Sequence, residues 1–363
     1  NNRVLVDGAK ALGWDVGPMR RNVKGCLNSG YCGLGCPVDA KQSGFVTVLP
    51  QSMRGGMRLY TNVQAERYVM EGGRIQEVHA RVLPTRAPVA SGPSVKVRAK
   101  VFVNSCGAIN GPALLMRSGI DSGGRCGQRT FLHPVLASLA LFDDPILPWM
   151  GAPQSAHSHR FIDRGEGKVG YFIEVAPLQP MLAAVSLKVL GNRHRAFMEQ
   201  LGHTHVLLAL CVDGLVSGDE GGVVRLKSDG RPTLDYSFSP QMLDAFRHAQ
   251  EQMIRVQFAG GAKEVRTTHT DPVTLKSLDD IHLVDNMRFG AMEHSVFTAH
   301  QMGGCAMGAN RGQSIVNPEL RHWDVPNLFV VDGSVLPTSL GVNPSMCIYS
   351  LAHRAREIVA ATV

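Results

Sequence analysis

The sequence predicts a mixed protein, α/β combined with α+β, whose α/β part is interrupted by an inserted domain built on an antiparallel sheet. Three observations carry this. The apolar run Leu328-Phe-Val-Val331, closed by Asp332-Gly333, reads as a buried strand. After a short loop, Asn343-Pro344 opens a helix running to about Val359, with proline at its first position. Upstream, Val95, Val97, Ala99, Val101 and Val103 alternate with polar or basic residues, the period of a half-buried strand. That strand leads through Gly107-Ala108 into a helix beginning near Pro112. Open α/β sheets place ligands at the carboxyl ends of such strands.

The remaining segments differ in character. Residues 57–103 read as a strand-rich meander whose longest loop is 84–93. From about 121 to 288 the sequence shows several strands, many turns and one clear helix. Ser239-Pro240 starts that helix, Met242, Ala245, Phe246, Ala249, Met253 and Val256 line one face, and Gly260-Gly261 ends it. The chain opens on an amphipathic segment carrying Val4, Leu5, Ala9 and Leu12. The expected domains are therefore 1–120 with a cysteine-rich loop at 26–37, an inserted domain at 121–288, and 289–363, which returns to the first.

Composition narrows the function. With 363 residues, 44% of them hydrophobic, and 39 glycines, the chain suits two loop-rich domains with substantial cores. The net charge of +7 is scattered among isolated Arg and Lys, with no basic stripe interleaved with aromatics, which argues against nucleic-acid binding. The longest apolar stretches, 131–142 and 205–216, are shorter than a membrane span and contain His133 or Asp213.

The segment His300-Gln-Met-Gly303-Gly304-Cys305-Ala-Met-Gly308 puts a histidine on a glycine-rich loop. Together with the turn at Asp332-Gly333 and the helix start at Asn343-Pro344, it suits a ligand that becomes negatively charged. These residues resemble the C-terminal signature of the glucose–methanol–choline (GMC) flavin oxidoreductases. In that signature a His and a Gly-rich segment ending Met-Gly precede an apolar strand ending Asp-Ala/Gly-Ser, then Pro, then Gly-x-Asn-Pro. The resemblance extends to Gly30-Tyr-Cys32-Gly-Leu-Gly-Cys36-Pro37-Val-Asp-Ala40-Lys41-Gln42-Ser43, to Val103-Asn-Ser-Cys-Gly107-Ala108-Ile-Asn-Gly-Pro112, and to Leu132-His133-Pro134 with Phe142-Asp143-Asp144.

The resemblance implies an FAD-binding Rossmann-like domain with an inserted substrate domain, and FAD-dependent oxidation of an alcohol. Removing a hydroxyl proton calls for a base, and a neutral His suits it near pH 7. By resemblance His300 is that base and Asn343 holds the substrate oxygen as charge develops on it. Asp332, Gly333, Gly107, Ala108, Asn343 and Pro344 are expected to contact FAD, and the backbone of Ala65 its adenine. His133 is expected to be structural. Two departures bear on flavin contact or substrate fit. The family's Gly-Thr-x-Arg-Met-Gly is here Gly303-Gly304-Cys305-Ala306-Met307-Gly308, and Cys347 replaces a common Thr. The dinucleotide fingerprint G-x-G-x-x-G with a later acidic residue is not found, so a fragment missing ~100–200 N-terminal residues is expected. A targeting peptide would lie there too, which leaves localisation unread.

Cys26-x5-Cys32-x3-Cys36-Pro37 differs from a ferredoxin run, with Ser29 where a second Cys would stand. Three thiolates match the need of a three-iron cluster, and the spacing resembles that of FAD-dependent sugar dehydrogenases. The alternative is a loop of reduced thiols, or one disulfide and a free thiol. Long-chain alcohol oxidases resemble the chain most through Leu132-His-Pro, Phe142-Asp-Asp-Pro-x-x-Pro-Trp149 and Pro153-Gln-Ser155, so a hydrophobic primary alcohol is the leading substrate. Oxygen, a quinone or a cytochrome would take the electrons. The rivals are a sugar or polyol dehydrogenase with an iron–sulfur relay, and a non-catalytic remnant serving as an interaction module.

Overall fold

The computed structural model describes residues 1–84 and 91–363, so most of the expected 84–93 loop lies outside the described residues. These residues fall into two compact units, both discontinuous in sequence. The first comprises Asn1–Arg58, Pro134–Val212 and Phe238–Phe297, and the second Leu59–His133, Asp213–Ser237 and Thr298–Val363.

This division differs from the three-part reading of the sequence. Residues 1–58, expected beside 59–120, join the middle region instead. The cause is helix packing: Asn2–Ala11 buries Val4, Leu5, Gly8 and Ala9. Gly8 lies so close to the helix Pro240–Ala259 that a Cβ there would come within 2.1 Å of the Val256 carbonyl oxygen. An amphipathic start pattern shows that a face is buried, but not against which partner.

The first unit is built on a seven-stranded antiparallel sheet. In spatial order its strands are Gly17–Pro18, Ala156–Ser158, Tyr171–Val175, Thr204–Cys211, Val135–Leu141, Glu264–Thr267 and Thr274–Leu275. Thr204–Cys211 is buried at every residue, as a central strand covered on both faces should be. Val206, Leu208 and Leu210 point into one apolar cluster with Phe172, Leu178 and Phe197. On the other face Gln257 of the long helix accepts from the Ser138 hydroxyl at 2.7 Å and meets His205 Nδ1 at 3.3 Å. That helix behaves as its sequence pattern predicts. Ser239 Oγ accepts from Met242 N at 3.1 Å, and Met242, Ala245, Phe246, Ala249, Met253 and Val256 are fully buried.

The second unit is assembled from small sheets. Val63–Glu71, Arg74–Val82 and Ser94–Arg98 form a three-stranded antiparallel sheet. Phe102–Asn104 pairs in parallel with Leu328–Val330, and Thr130–Phe131 pairs antiparallel with Met302–Gly303. The even alternation from Val95 to Val103 therefore spans two strands in different sheets. The valines keep phase across the break, so periodicity alone cannot reveal it. Asn327 ties the two sheets, donating to Ile75 O at 2.8 Å and accepting from Ile75 N at 3.0 Å.

The two helices of this unit also start differently from their sequence signals. The first runs Gly107–Arg117 with Pro112 inside it. The Ala108 carbonyl, which Pro112 cannot bond, faces Gly304, where a Cβ would lie 3.1 Å from it. The last helix is Ser345–Ala360, with Pro344 as its N-cap rather than its first residue.

Candidate active site

The site grows from the carboxyl ends of the parallel pair. Asp332, almost fully buried, follows Leu328–Val330 and divides its carboxylate between two backbone segments. Gly107 N donates to Oδ2 at 2.7 Å, and Ser334 N donates to Oδ1 at 2.8 Å. The carboxylate thus holds the start of one helix and the turn Gly333–Val335 together, satisfying amides that a helix start leaves without intrahelical partners. Gly107 sits at φ +77°, a conformation that side chains other than glycine's disfavour.

The histidine loop is fastened to the same turn. Cys305 N donates to Ser334 O at 3.0 Å and Met307 N to Val335 O at 2.8 Å. Gly333 packs so tightly that a Cβ would lie 3.0 Å from Gln301 O. Gly107, Ala108, Asp332, Gly333 and the loop following His300 are therefore brought to one place.

His300 is half-buried and has a partner that sequence reasoning treated as structural. Its Nδ1 lies 3.1 Å from His133 Nδ1, with the ring planes at 80°. His133 is fully buried, at φ +47° in the left-handed region. Asp213, itself fully buried, holds that backbone: Leu132 N donates to Oδ2 at 2.8 Å and His133 N to Oδ1 at 3.1 Å. Tyr236 Oη adds a bond to Oδ2 at 2.8 Å. The Thr298 hydroxyl donates to Leu132 O and accepts from His300 N at 3.1 Å, so both imidazoles share one frame.

Burial sets the charge of these groups. Desolvation first, and then the neighbouring His133, push His300 down to about 4. Desolvation likewise takes His133 to about 4, against a hydrogen bond to the Leu340 backbone that favours the charged form. Asp213 is pushed up by burial, and its bonds from Leu132, Tyr236, His133 and Ser339 oppose the shift. At neutral pH both imidazoles are uncharged, and a base with a bare nitrogen is available.

Asn343 is half-buried and Pro344 buried, at the start of a helix whose N-cap residue, Pro344, makes no side-chain cap bond. The neighbouring Leu336, Leu340 and Ile348 pack with Phe131 and Met302, which adjoin the two histidines in sequence. Ala65 stands at a bulge in Val63–Glu71, opposite Ala80. Cys26, Cys32 and Cys36 belong to the first unit. Backbone amides of Lys41 and Val38 lower the Cys36 thiol. All eight cysteines are free thiols, so the single-disulfide alternative for the cluster is not seen. Among the described residues no group of three or more His, Cys, Asp or Glu is placed to hold a metal, and the three-thiolate reading gains no support.

The residues missed from sequence are His133 as a partner of His300, and Asp213 as its anchor. A signal for the second existed: Asp213-Gly214 closes an apolar run as Asp332-Gly333 does.

Two family models, both described as GMC oxidoreductase, match residues 1–135 and 218–352. An uncharacterized GMC-type oxidoreductase of Sinorhizobium fredii is 31% identical over 361 residues, covering 98% of this chain and 67% of that protein. A long-chain-alcohol oxidase of Arabidopsis thaliana is 29% identical over 373 residues, covering 97% of this chain and 48% of that protein. The chain spans about half the length of several of the curated relatives it matches, 55% in one case. Among solved structures, pyridoxine 4-oxidase from Mesorhizobium loti superposes with a TM-score of 0.64 at 20% identity, over 98% of this chain and 69% of that one. The last likeness speaks for the fold alone.

Proposed function

Because the chain belongs to the GMC oxidoreductase family, we propose that the protein oxidises an alcohol CH–OH group to an aldehyde or ketone with FAD. The observation that carries this reading is His300: a half-buried imidazole held neutral at pH 7, on a loop fastened to the Asp332 turn. A neutral imidazole can take the hydroxyl proton of the substrate. Asn343 cannot take a proton, and its amide suits the other task, donating to the substrate oxygen as negative charge develops there.

The residues present fit a flavin dinucleotide. Both oxygens of Asp332 are turned inward onto amides, so the turn offers backbone rather than a bare negative charge. Among the described residues, leaving aside its chain neighbours and its own helix backbone, no atom lies within 4 Å of where a Cβ on Gly107 would project, which leaves that helix start open to a close approach. At the helix Gly107–Arg117 the first amide already bonds Asp332, whereas the N-cap Pro344 of Ser345–Ala360 makes no side-chain cap bond, and helix N-termini favour anionic groups. Asp332, Gly333, Gly107, Ala108, Asn343 and Pro344 would hold the cofactor on this reading. When bound, FAD supplies the hydride-accepting ring; this chain supplies the base, the oxygen-holding amide and the fixed backbone around them.

A long-chain primary alcohol is the substrate class best supported, by the Arabidopsis relative that is 29% identical. The flavin-loaded enzyme should bleach without oxygen when mixed with such an alcohol, and recover with oxygen, a quinone or a cytochrome as acceptor. Bleaching by hexoses alone would replace this substrate class with sugars. No bleaching by any alcohol would refute the reading.

A further inference from the structure

We propose that residues 180–195 of the first unit form a docking surface for an anionic lipid bilayer, with apolar side chains entering the acyl boundary and basic ones meeting the headgroups. Vesicle binding is read without turnover, so this surface stands or falls apart from the alcohol chemistry.

The segment lies in two short helices, Pro180–Ser186 and Asn192–Glu199, each held to the unit by one side. Ala183 and Phe197 are buried in the apolar cluster that includes Phe172, Val206 and Leu208. Just before the first helix, Gln179 Nε2 donates to Gly30 O at 3.0 Å and to Trp149 O at 3.1 Å. His194 Nε2 donates to Ala184 O at 2.9 Å and so ties the second helix to the first. These contacts are enough to seat the segment, and none of them uses its largest apolar side chains. Met181, Val185 and Leu190 are 71%, 76% and 88% exposed, and Leu182 is 47% exposed. Helical spacing puts Met181, Leu182 and Val185 on one face, away from Ala183. A single exposed apolar residue is ordinary. Four large ones within ten positions, on a segment whose seating does not need them, mark an interaction surface.

Charge identifies the partner. No Asp or Glu occurs between Glu174 and Glu199, while Lys188, Arg193 and Arg195 all fall in that stretch and are exposed. Arg195 pairs with Glu199, whereas Lys188 and Arg193 make no ion pair among the described residues. Lys188 donates only to the Thr270 hydroxyl, at 3.3 Å. A second copy of the chain fits poorly, because a two-fold contact through this segment sets its basic residues against one another. A stable protein interface takes roughly 20–30 residues a side, more than the segment presents. A bilayer surface asks for less: apolar tips that reach the acyl boundary, and cations drawn to anionic headgroups. At seven and eight residues, the two helices can lie on a bilayer but not span it.

The test is co-sedimentation of the flavin-loaded enzyme with vesicles of phosphatidylcholine alone, or of phosphatidylcholine mixed with phosphatidylglycerol. Binding to the anionic vesicles is expected to be at least ~10-fold tighter than to the neutral ones, and to weaken as salt is raised. Val185→Asn combined with Leu190→Asn should weaken it ~10-fold or more by removing apolar tips. Lys188→Gln and Arg193→Gln should each weaken it ~5-fold. All four positions are exposed, so the unfolding temperature should stay unchanged, which separates lost docking from lost folding. Equal binding to both vesicle types overturns the inference, as does undiminished binding by the apolar double variant. A dimer that forms without vesicles and is lost in the same variants replaces the bilayer with a second copy. Failure to bind anionic vesicles overturns the inference and leaves the segment to a protein partner.

Discussion

In the first unit, the strand Thr204–Cys211 is buried along its whole length between an apolar cluster and the helix Pro240–Ala259. In the second, the decisive contacts are carboxylate oxygens on backbone amides: Asp332 on Gly107 and Ser334, Asp213 on Leu132 and His133. Regular strands satisfy their own amides, so apolar burial suffices to hold them. Glycine-rich turns cannot, and a chain that must expose backbone to a ligand needs polar side chains beneath it. The same difference separates what stabilises each unit from what equips it for chemistry.

The largest effect expected is in the first unit. Phe246→Ala should cost ~3–5 kcal/mol by emptying a fully buried site. Hydrogen exchange should place the loss in the sheet and long helix, with exchange at 132–133 unaltered. Asp213→Ala should come next, at ~2–4 kcal/mol, because it orphans two amides that the carboxylate now bonds. Here exchange should rise at 132–133, and alcohol oxidation should fall along with stability. If the two variants had the same profile of lost protection and activity, the contrast between the units would fail.

Acid should blur the contrast rather than sharpen it. His133 and His300 are held at about 4 against an ordinary 6.5, and His205 and His294 of the first unit at about 3. A histidine with a lowered folded value contributes stability that is full above 6.5 and is lost as pH falls toward the folded value. Between pH 7 and 5 the loss should be about 1–2 kcal/mol per histidine, read from urea unfolding. Asp213, raised by burial, takes up a proton over the acid range and offsets part of it in the second unit. Flavin reduction, by contrast, should stay flat from pH 8 to about 5, since His300 remains neutral there. The smallest effect is Ser239→Ala, which should remove ~1 kcal/mol with the N-cap bond to Met242 and leave the site untouched.

The same contrast explains what could be read in advance. The long helix was legible to its ends because Ser239, its apolar face and Gly260 all act within one local segment. The turn after Leu328–Val330 was legible for a similar reason. The assignment of 1–58 was not, since only a close approach at Gly8 shows which helix that segment meets. The contact of His133 with His300 was not legible: its partner lies 167 positions away, and no periodicity encodes a contact between two loops. Asp213 anchors residues some 80 positions earlier through its side chain, a link with no local signature beyond the Asp-Gly turn.

The most direct test of the account compares wild-type enzyme with His300→Ala, both flavin-loaded, mixed with a long-chain primary alcohol in the absence of oxygen. The variant should keep its flavin spectrum and be reduced ~100-fold or more slowly, as expected on losing a general base. Reduction at the wild-type rate would remove His300 from the chemistry and contradict the account.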